Sequence, residues 1–421
     1  MFLPRWILCF VLVVLVGGSG WCVPQSANVR DFGAKGDGLT DDTQAIQKAL
    51  AAISSGGVVT LPAGAYIVSA ALNVPHGGTL IGEGVRWENG TSQLYVLENG
   101  FSPIVLDHGA SVKGLIIIYP NNMDNSNPTP YPPSILLNGI NPSVENIVFS
   151  GAWIGVSTPQ GGGNAGQGLF KELTGFVHHV GIHLDESRDV NRIQDVHWFV
   201  GGKDTPGKPS YYRHNRVGFE FGSVDGIIME RCFIIGGKTF FHQLPEKTLA
   251  DGTKRGTHSL GHHIDQCWIE DVDYGFIFEG ATGFVLSSAN ILIRKNGIGV
   301  KVTPQSLFYN DVIDSVQVRS FGEPIVGFEY GCLTPHSRNR LSIADCQVVD
   351  GSPALHLMSG AVRANIHDSH FQAVPVCPAI KIDRGADLFT IANNILSAPR
   401  AIQDNSGRRA RKTIKGNLHE R

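Results

Sequence analysis

The sequence predicts an all-β protein: a single-stranded, right-handed parallel β-helix, a solenoid closed at its N-terminal end by one capping helix. Two repeats predict it. In the first, an apolar residue is followed three positions later by Cys, Ser or Asn: Met229 and Cys232, Ile264 and Cys267, Val312 and Ser315, Ile343 and Cys346, Ile366 and Ser369, Ile391 and Asn394, Ile414 and Asn417, with Asn290 extending the series. Steps between these small residues are mostly 23 or 25, lengthening to 31 and 35, a period that marks stacked coils. In the second, a short strand opening with Gly or Ala follows each small residue: Gly275, Gly297, Gly327, Ala354, Ala379 and Ala401. Both pieces alternate apolar and polar residues, so each coil has a face that only its neighbours can bury.

The elements follow in chain order. Arg5, an apolar run from Ile7 to Val16 and the small residues Gly17 to Gly20 have the layout of a secretory leader. The run is about half the length a membrane span needs, so no stable membrane insertion is expected. Cleavage between Gly20 and Gln25 gives a leader over 1–22, with Trp21 arguing against lipidation at Cys22, and one solenoid domain over 23–421: an opening and cap module at 28–90, then coils at 91–421. Thr40, Asp41 and Asp42 offer N-cap oxygens to a helix over Thr43 to Ile53, whose Ala45, Ile46, Ala49, Leu50 and Ile53 form an apolar stripe; Gly56 and Gly57 end it.

With 34 basic and 37 acidic residues and a net charge of −3, nothing global points to nucleic acid or an acidic membrane surface. The seven cysteines have no zinc-module spacing. Cys232, Cys267 and Cys346 fall at one repeated position and read as small buried side chains in a ladder.

The stretch N-V-R-D-F-G-A-K-G-D-G-L-T-D-D-T-Q-A-I-Q-K-A-L from Asn28, followed by G-G-V-V-T-L-P-A-G-A-Y from Gly56, resembles the opening module of the pectate lyase superfamily. That family includes polygalacturonase-like, rhamnogalacturonase-like and uronan epimerase-like proteins and phage tailspikes. The resemblance implies the β-helix and a glycan substrate, and it makes Asp31, Gly36, Asp37, Gly38, Asp41 and Asp42 turn and cap residues. Its motifs for chemistry depart: G-H-H at Gly261 and I-R-K at Ile293 are all that match the hydrolase-like G-H-G and R-I-K, and Y-G-F-I-F-E from Tyr274 stands where epimerase-like proteins carry Y-G-F-D-P-H. A mechanism does not follow from it.

Site candidates come instead from stacking, because equivalent turn positions of adjacent coils lie one or two strand spacings apart. The turn after Cys267 carries Glu270, Asp271 and Asp273, with Lys238 below it and Arg294, Lys295 and Arg319 above. His263 borders it as a candidate acid or base. Asp271, Asp273, His263, Arg294, Lys295 and Lys238 are therefore the expected catalytic set. Two insertions, 201–216 and 242–263, lean basic and contribute Tyr211, Tyr212, Arg213, Arg216 and Arg255, which with Arg319 form the expected substrate-binding set: rings stack on sugars and guanidiniums grip carboxylates. The blander reading makes these charges solvated surface ion pairs.

Hydrolysis needs a protonated and an ionised carboxyl, whereas elimination needs a base plus a cation to neutralise the uronate. No cofactor follows with certainty from the sequence, and Ca²⁺ can take the place of Arg or Lys in neutralising the uronate. His178, His179 and His183 precede Asp185, and His262 and His263 precede Asp265, but adjacent strand residues point to opposite faces, so packed or solvent-facing imidazoles and no transition metal are expected. The expected function is a secreted enzyme cleaving an acidic, uronic-acid-containing polysaccharide by β-elimination. A hydrolase using a carboxylate pair and a non-catalytic glycan-binding solenoid remain the alternatives. The basic run from Gly407 reads as the charged face of a final coil, and without a heptad or stalk the expected state is a monomer.

Overall fold

The structure, a computed structural model, describes residues 25–420 apart from 54, 86–90, 160–163, 246, 249–253, 256–260, 281–282, 304–309 and 333–339. The expected leader and Cys22 lie outside the described residues. Among the described residues, 36 strands join in one continuous parallel array, wound as a right-handed β-helix. A typical coil has three sides. His262–Asp265 lies in the first sheet, the chain turns at Gln266 (φ 54°), and Trp268–Phe278 supplies the second sheet, bends at Asp271 (φ 54°) and continues in the third.

The turn between first and second sheets explains the small-residue repeat. One residue of each turn is left-handed: Arg231, Gln266, Ser288, Ser315, Asp345, Asp368 and Asn393, with φ between 50° and 58°. The next side chain drops into the core, giving the buried column Cys232, Cys267, Ala289, Val316, Cys346, Ser369 and Asn394. Towards the C-terminus the column is tied by side chain to backbone: Ser369 Oγ accepts from Cys346 N (3.1 Å), Asn394 Oδ1 from Ser369 N (3.0 Å) and Asn417 Oδ1 from Asn394 N (3.0 Å). Those bonds satisfy polar groups that burial would otherwise strand. Cys232, Cys267 and Cys346 are free thiols inside the ladder.

Two expected members are displaced by one residue. Ser315 is the exposed turn residue itself, and Asn290 pairs with Trp268 and Gln317 one step beyond Ala289. The three-residue spacing still holds, but from Leu286 to Ala289 and from Ile313 to Val316. Where Val312 and Ile313 are both apolar, the spacing alone cannot say which one points inward.

Helix α1 (Thr43–Ala52) covers the N-terminal end and buries Ile46, Ala49 and Leu50. Its first N–H groups are met by Asp41, whose carboxylate accepts from Thr43 N (3.0 Å). Asp42, expected as a cap oxygen, is buried and accepts instead from Lys35 N (2.6 Å) and Gly36 N (2.9 Å), closing the preceding turn. Gly36 is required there: φ is 56°, and a Cβ would lie 2.7 Å from the Tyr66 ring.

Candidate functional site

Outward residues of the third sheet stack in register as Ser157, His183, Glu220, His242, Ile277, Lys301, Glu329, His356 and Lys381. A cleft of about 880 Å³ opens over the N-terminal part of this column, lined among others by Tyr131, Trp153, His179, His183, Asp185 and Glu220. Two excursions from the coil repeat build beside it. Residues 120–133 and 201–216 are clipped together by Asn125 Nδ2, which donates to Gly201 O (2.9 Å) and Asp204 Oδ1 (3.0 Å), and by Thr205 Oγ1, which donates to Asp124 (3.1 Å).

The second excursion is held to the coils from beneath. Arg216 is fully buried and donates to the carbonyls of Phe199 (2.6 Å), Ile235 (2.5 Å) and Gly236 (3.1 Å), with its guanidinium 5.1 Å from the Tyr212 ring centroid. Burial pushes its pKa down to about 9, which leaves it charged at neutral pH. The helical turn α2 (Tyr211–Asn215) then sets Tyr211 at the cleft's edge.

His183 and Glu220 form the chemical centre of the cleft. His183 Nδ1 lies 2.9 Å from Glu220 Oε1. Burial pushes the Glu220 carboxyl up, but the His183 hydrogen bond and the charges of His183, His242 and His179 outweigh it, and the group sits below the usual carboxylate range. In the neutral imidazole, an Nδ1–H bonded to this carboxylate leaves the lone pair on Nε2. One rung on, His242 meets Glu279 at 3.1 Å and holds that carboxyl low as well. On the wall, His179 stacks on Trp153 (centroids 4.6 Å, 18°), and its Nδ1 lies 3.1 Å from the Tyr211 hydroxyl. Burial lowers the His179 pKa. Adjacent histidines do point apart, as strand geometry requires: His178 and His262 are buried, His179 half-buried and His263 exposed.

None of the residues expected from the sequence is among those lining this cleft, although Tyr211 flanks it. The expected acidic turn and basic loop do meet, as a closed set of ion pairs. Arg213 bonds Asp271 (2.6 Å), Arg294 bonds Asp273 (3.0 Å), and Arg294 also donates to Arg213 O (2.6 Å), pinning α2 onto the corner of the coil. Lys295 pairs with Glu323 (3.0 Å), and Lys238 is exposed at the same corner. His263 does not stand beside Asp271. It faces out from the first sheet between Ile228 and Val285, whereas Asp271 forms the corner between the second and third.

Tyr212 and Arg216 are buried and closed to a polymer, a correction to their expected exposure. The reason is that the insertion folds down onto the coils, so its residues nearest the strands become its anchor. Arg319 is exposed at the end of a second-sheet strand. Arg255 sits in a two-stranded ribbon with Lys247, and its side chain lies outside the described residues. Among the described residues no three His, Cys, Asp or Glu side chains gather as metal ligands.

Two signals for the cleft were present in the sequence. The Pro- and Asn-rich run 120–133 interrupts the repeat, and the second strand of each coil carries a polar residue at an equivalent place, as in Glu220, Glu329 and His356.

Residues 26–101 match the family model described as rhamnogalacturonase A/epimerase, pectate lyase-like. The opening module is pectate lyase-like. The chain is 52% identical over 81 residues to alginate lyase 7 of Azotobacter vinelandii (19% of this chain, 8% of the relative), and 50% identical over 60 residues to the mannuronan C5-epimerase AlgE4 of the same organism (14% and 11%). It is 42% identical over 67 residues to an exo-poly-α-D-galacturonosidase of Dickeya chrysanthemi (14% and 11%). These matches span about a tenth or less of each relative. Over most of the chain the likeness is one of fold. The phage φ29 gene product 12 superposes with a TM-score of 0.67 at 14% identity (89% of this chain, 53% of that one), and the A-module of the epimerase AlgE6 of A. vinelandii with 0.51 at 13% (94% and 99%). The tailspike of Escherichia coli phage HK620, solved with a pentasaccharide, gives 0.60 at 11% (94% and 78%).

Proposed function

We propose that the cleft on the third sheet binds a uronic-acid-containing polysaccharide and cleaves it by β-elimination, in a protein exported through the leader at 1–22. The observation that carries this reading is the His183–Glu220 pair in a cleft walled by Trp153 and His179. Trp153 offers a flat apolar face to a sugar ring. His183 Nε2 takes the proton at C5, Glu220 stabilises the imidazolium, and the C4–O bond breaks as the C4–C5 double bond forms. The hydrogen-bonded Tyr211–His179 pair returns a proton to the leaving oxygen.

The two carboxylates favour elimination over hydrolysis, and because no Lys or Arg among the described residues lines the cleft, the cation that elimination needs enters with the substrate as its counter-ion. Glu220 and Glu279 are both held below the usual carboxylate range, so neither stores the proton that a hydrolase's general acid must deliver. The names of three relatives, an alginate lyase, a mannuronan epimerase and a galacturonosidase, support a uronan as substrate.

The test incubates the protein with alginate and polygalacturonate and follows the ultraviolet absorbance of the unsaturated product alongside new reducing ends. His183→Ala is expected to lower kcat/KM by roughly 100-fold or more. Reducing ends without absorbance would assign hydrolysis. Deuterium uptake at C5 without either signal would assign epimerisation, which begins with the same proton abstraction. Undiminished lyase activity in His183→Ala would remove His183 as the base.

A further inference from the structure

On the first sheet, away from the column of the cleft, a second hollow of about 420 Å³ is lined by Arg340, Arg363, Ser342, Asn365, Thr390 and Asp311, among others. Leu341 pairs with Ala364, so Arg340 and Arg363, one residue earlier in the chain, come from adjacent coils, and both line the hollow. Neighbouring coils are about 4.8 Å apart, so like charges on the two coils repel. Neither guanidinium has a carboxylate or hydrogen-bond partner among the described residues, and Arg363 Nε is buried with none. The nearby acids do not supply one. Asp387 is taken up by Arg411, and Asp311 is buried and accepts from Phe284 N (3.3 Å). Beside the arginine pair, Ser342, Asn365 and Thr390 stack in one outward column of hydroxyl and amide groups.

We propose that this hollow is an oxyanion site, taking a carboxylate, sulfate or phosphate group, free or carried on a glycan. Two guanidiniums lining one hollow can both donate N–H bonds to such a group, and the bound charge relieves the repulsion between the two arginines. The site depends on none of the residues of the third-sheet cleft, so it stands or falls separately from the reading given for that cleft.

The test is calorimetric titration of the full chain with sodium sulfate and, separately, with a uronate trimer, at fixed ionic strength and against a sodium chloride control. Wild type is expected to bind at least one of the two. Arg340→Gln, at an exposed side chain that leaves the coil packing in place, is expected to weaken sulfate binding at least tenfold and Arg340→Gln/Arg363→Gln to abolish it, and each to remove the arginine-dependent part of trimer binding while leaving the part due to the cleft. Both variants are expected to keep the activity of the cleft. Tighter binding of sulfate assigns a free oxyanion, and tighter binding of the trimer, with the same arginine dependence, assigns a glycan. Wild-type titrations no different from chloride, or binding equal in wild type and Arg340→Gln, would overturn the site.

Discussion

Trp153 shows how much one side chain can decide. It packs partly on the core, one face of its ring stacks on His179, and its centroid sits 5.1 Å from that of the Tyr211 ring, so it orders the wall of the cleft. An aromatic contact of this kind is worth about 1 kcal/mol beyond its buried area, or about fivefold in an equilibrium. Trp153→Ala is therefore expected to raise KM about fivefold or more with a smaller change in kcat, as loss of uniform binding does. Steady-state kinetics on an oligouronate series checks it, and a selective loss of kcat would place Trp153 in the chemistry instead. Arg216 gives the converse lesson. A basic residue in a basic loop suggested a substrate clamp, but three carbonyls and an aromatic ring hold it inside the protein.

At the scale of the sheet, the outward column shows how like positions on successive rungs become an electrostatic ladder. Beyond the cleft, Lys301 meets Glu329 (3.8 Å), His356 stands between Glu329 (3.6 Å) and Asp383 (2.8 Å), and Lys381 meets Asp383 (3.6 Å). Glu329 and Asp383 raise the His356 pKa above the ordinary imidazole value of 6.5 against the opposing effect of burial. A raised folded-state pKa contributes stability that is complete below the unfolded value and is lost as pH rises through the folded one. Every tenfold gain in proton affinity on folding corresponds to about 1.4 kcal/mol. Melting temperature is thus expected to fall as pH rises above 6.5, and His356→Gln to flatten that part of the profile. An unchanged profile in the variant would assign the dependence to another group. The repeat made the strands of this ladder legible, but the sign of each rung depended on which coils became neighbours.

Across the whole molecule, stability passes from coil to coil, because each coil buries its apolar face only on the next. Helix α1 ends that chain of contacts, with Leu50 fully buried beneath it. Leu50→Ala is expected to cost about 2–5 kcal/mol and to open the first coils before the rest. Hydrogen exchange would show lost protection at Val58–Leu61 with Phe389–Ala392 unchanged, whereas uniform loss would mean that the solenoid unfolds as one unit. The sequence by itself determined the architecture: coil period, buried small-residue turn, capping helix and opening module are all local patterns, set by alternation and spacing within one or two coils. The cleft was decided only by tertiary structure. His183 and Glu220 are 37 residues apart, Tyr211 and His179 are 32 apart, and the excursions that wall them meet across nearly 80. Their approach depends on coil lengths and on how the insertions fold back, which no periodicity records. The acidic corner was legible because its charges lie at repeated turn positions, and the same proximity lets them neutralise one another as ion pairs.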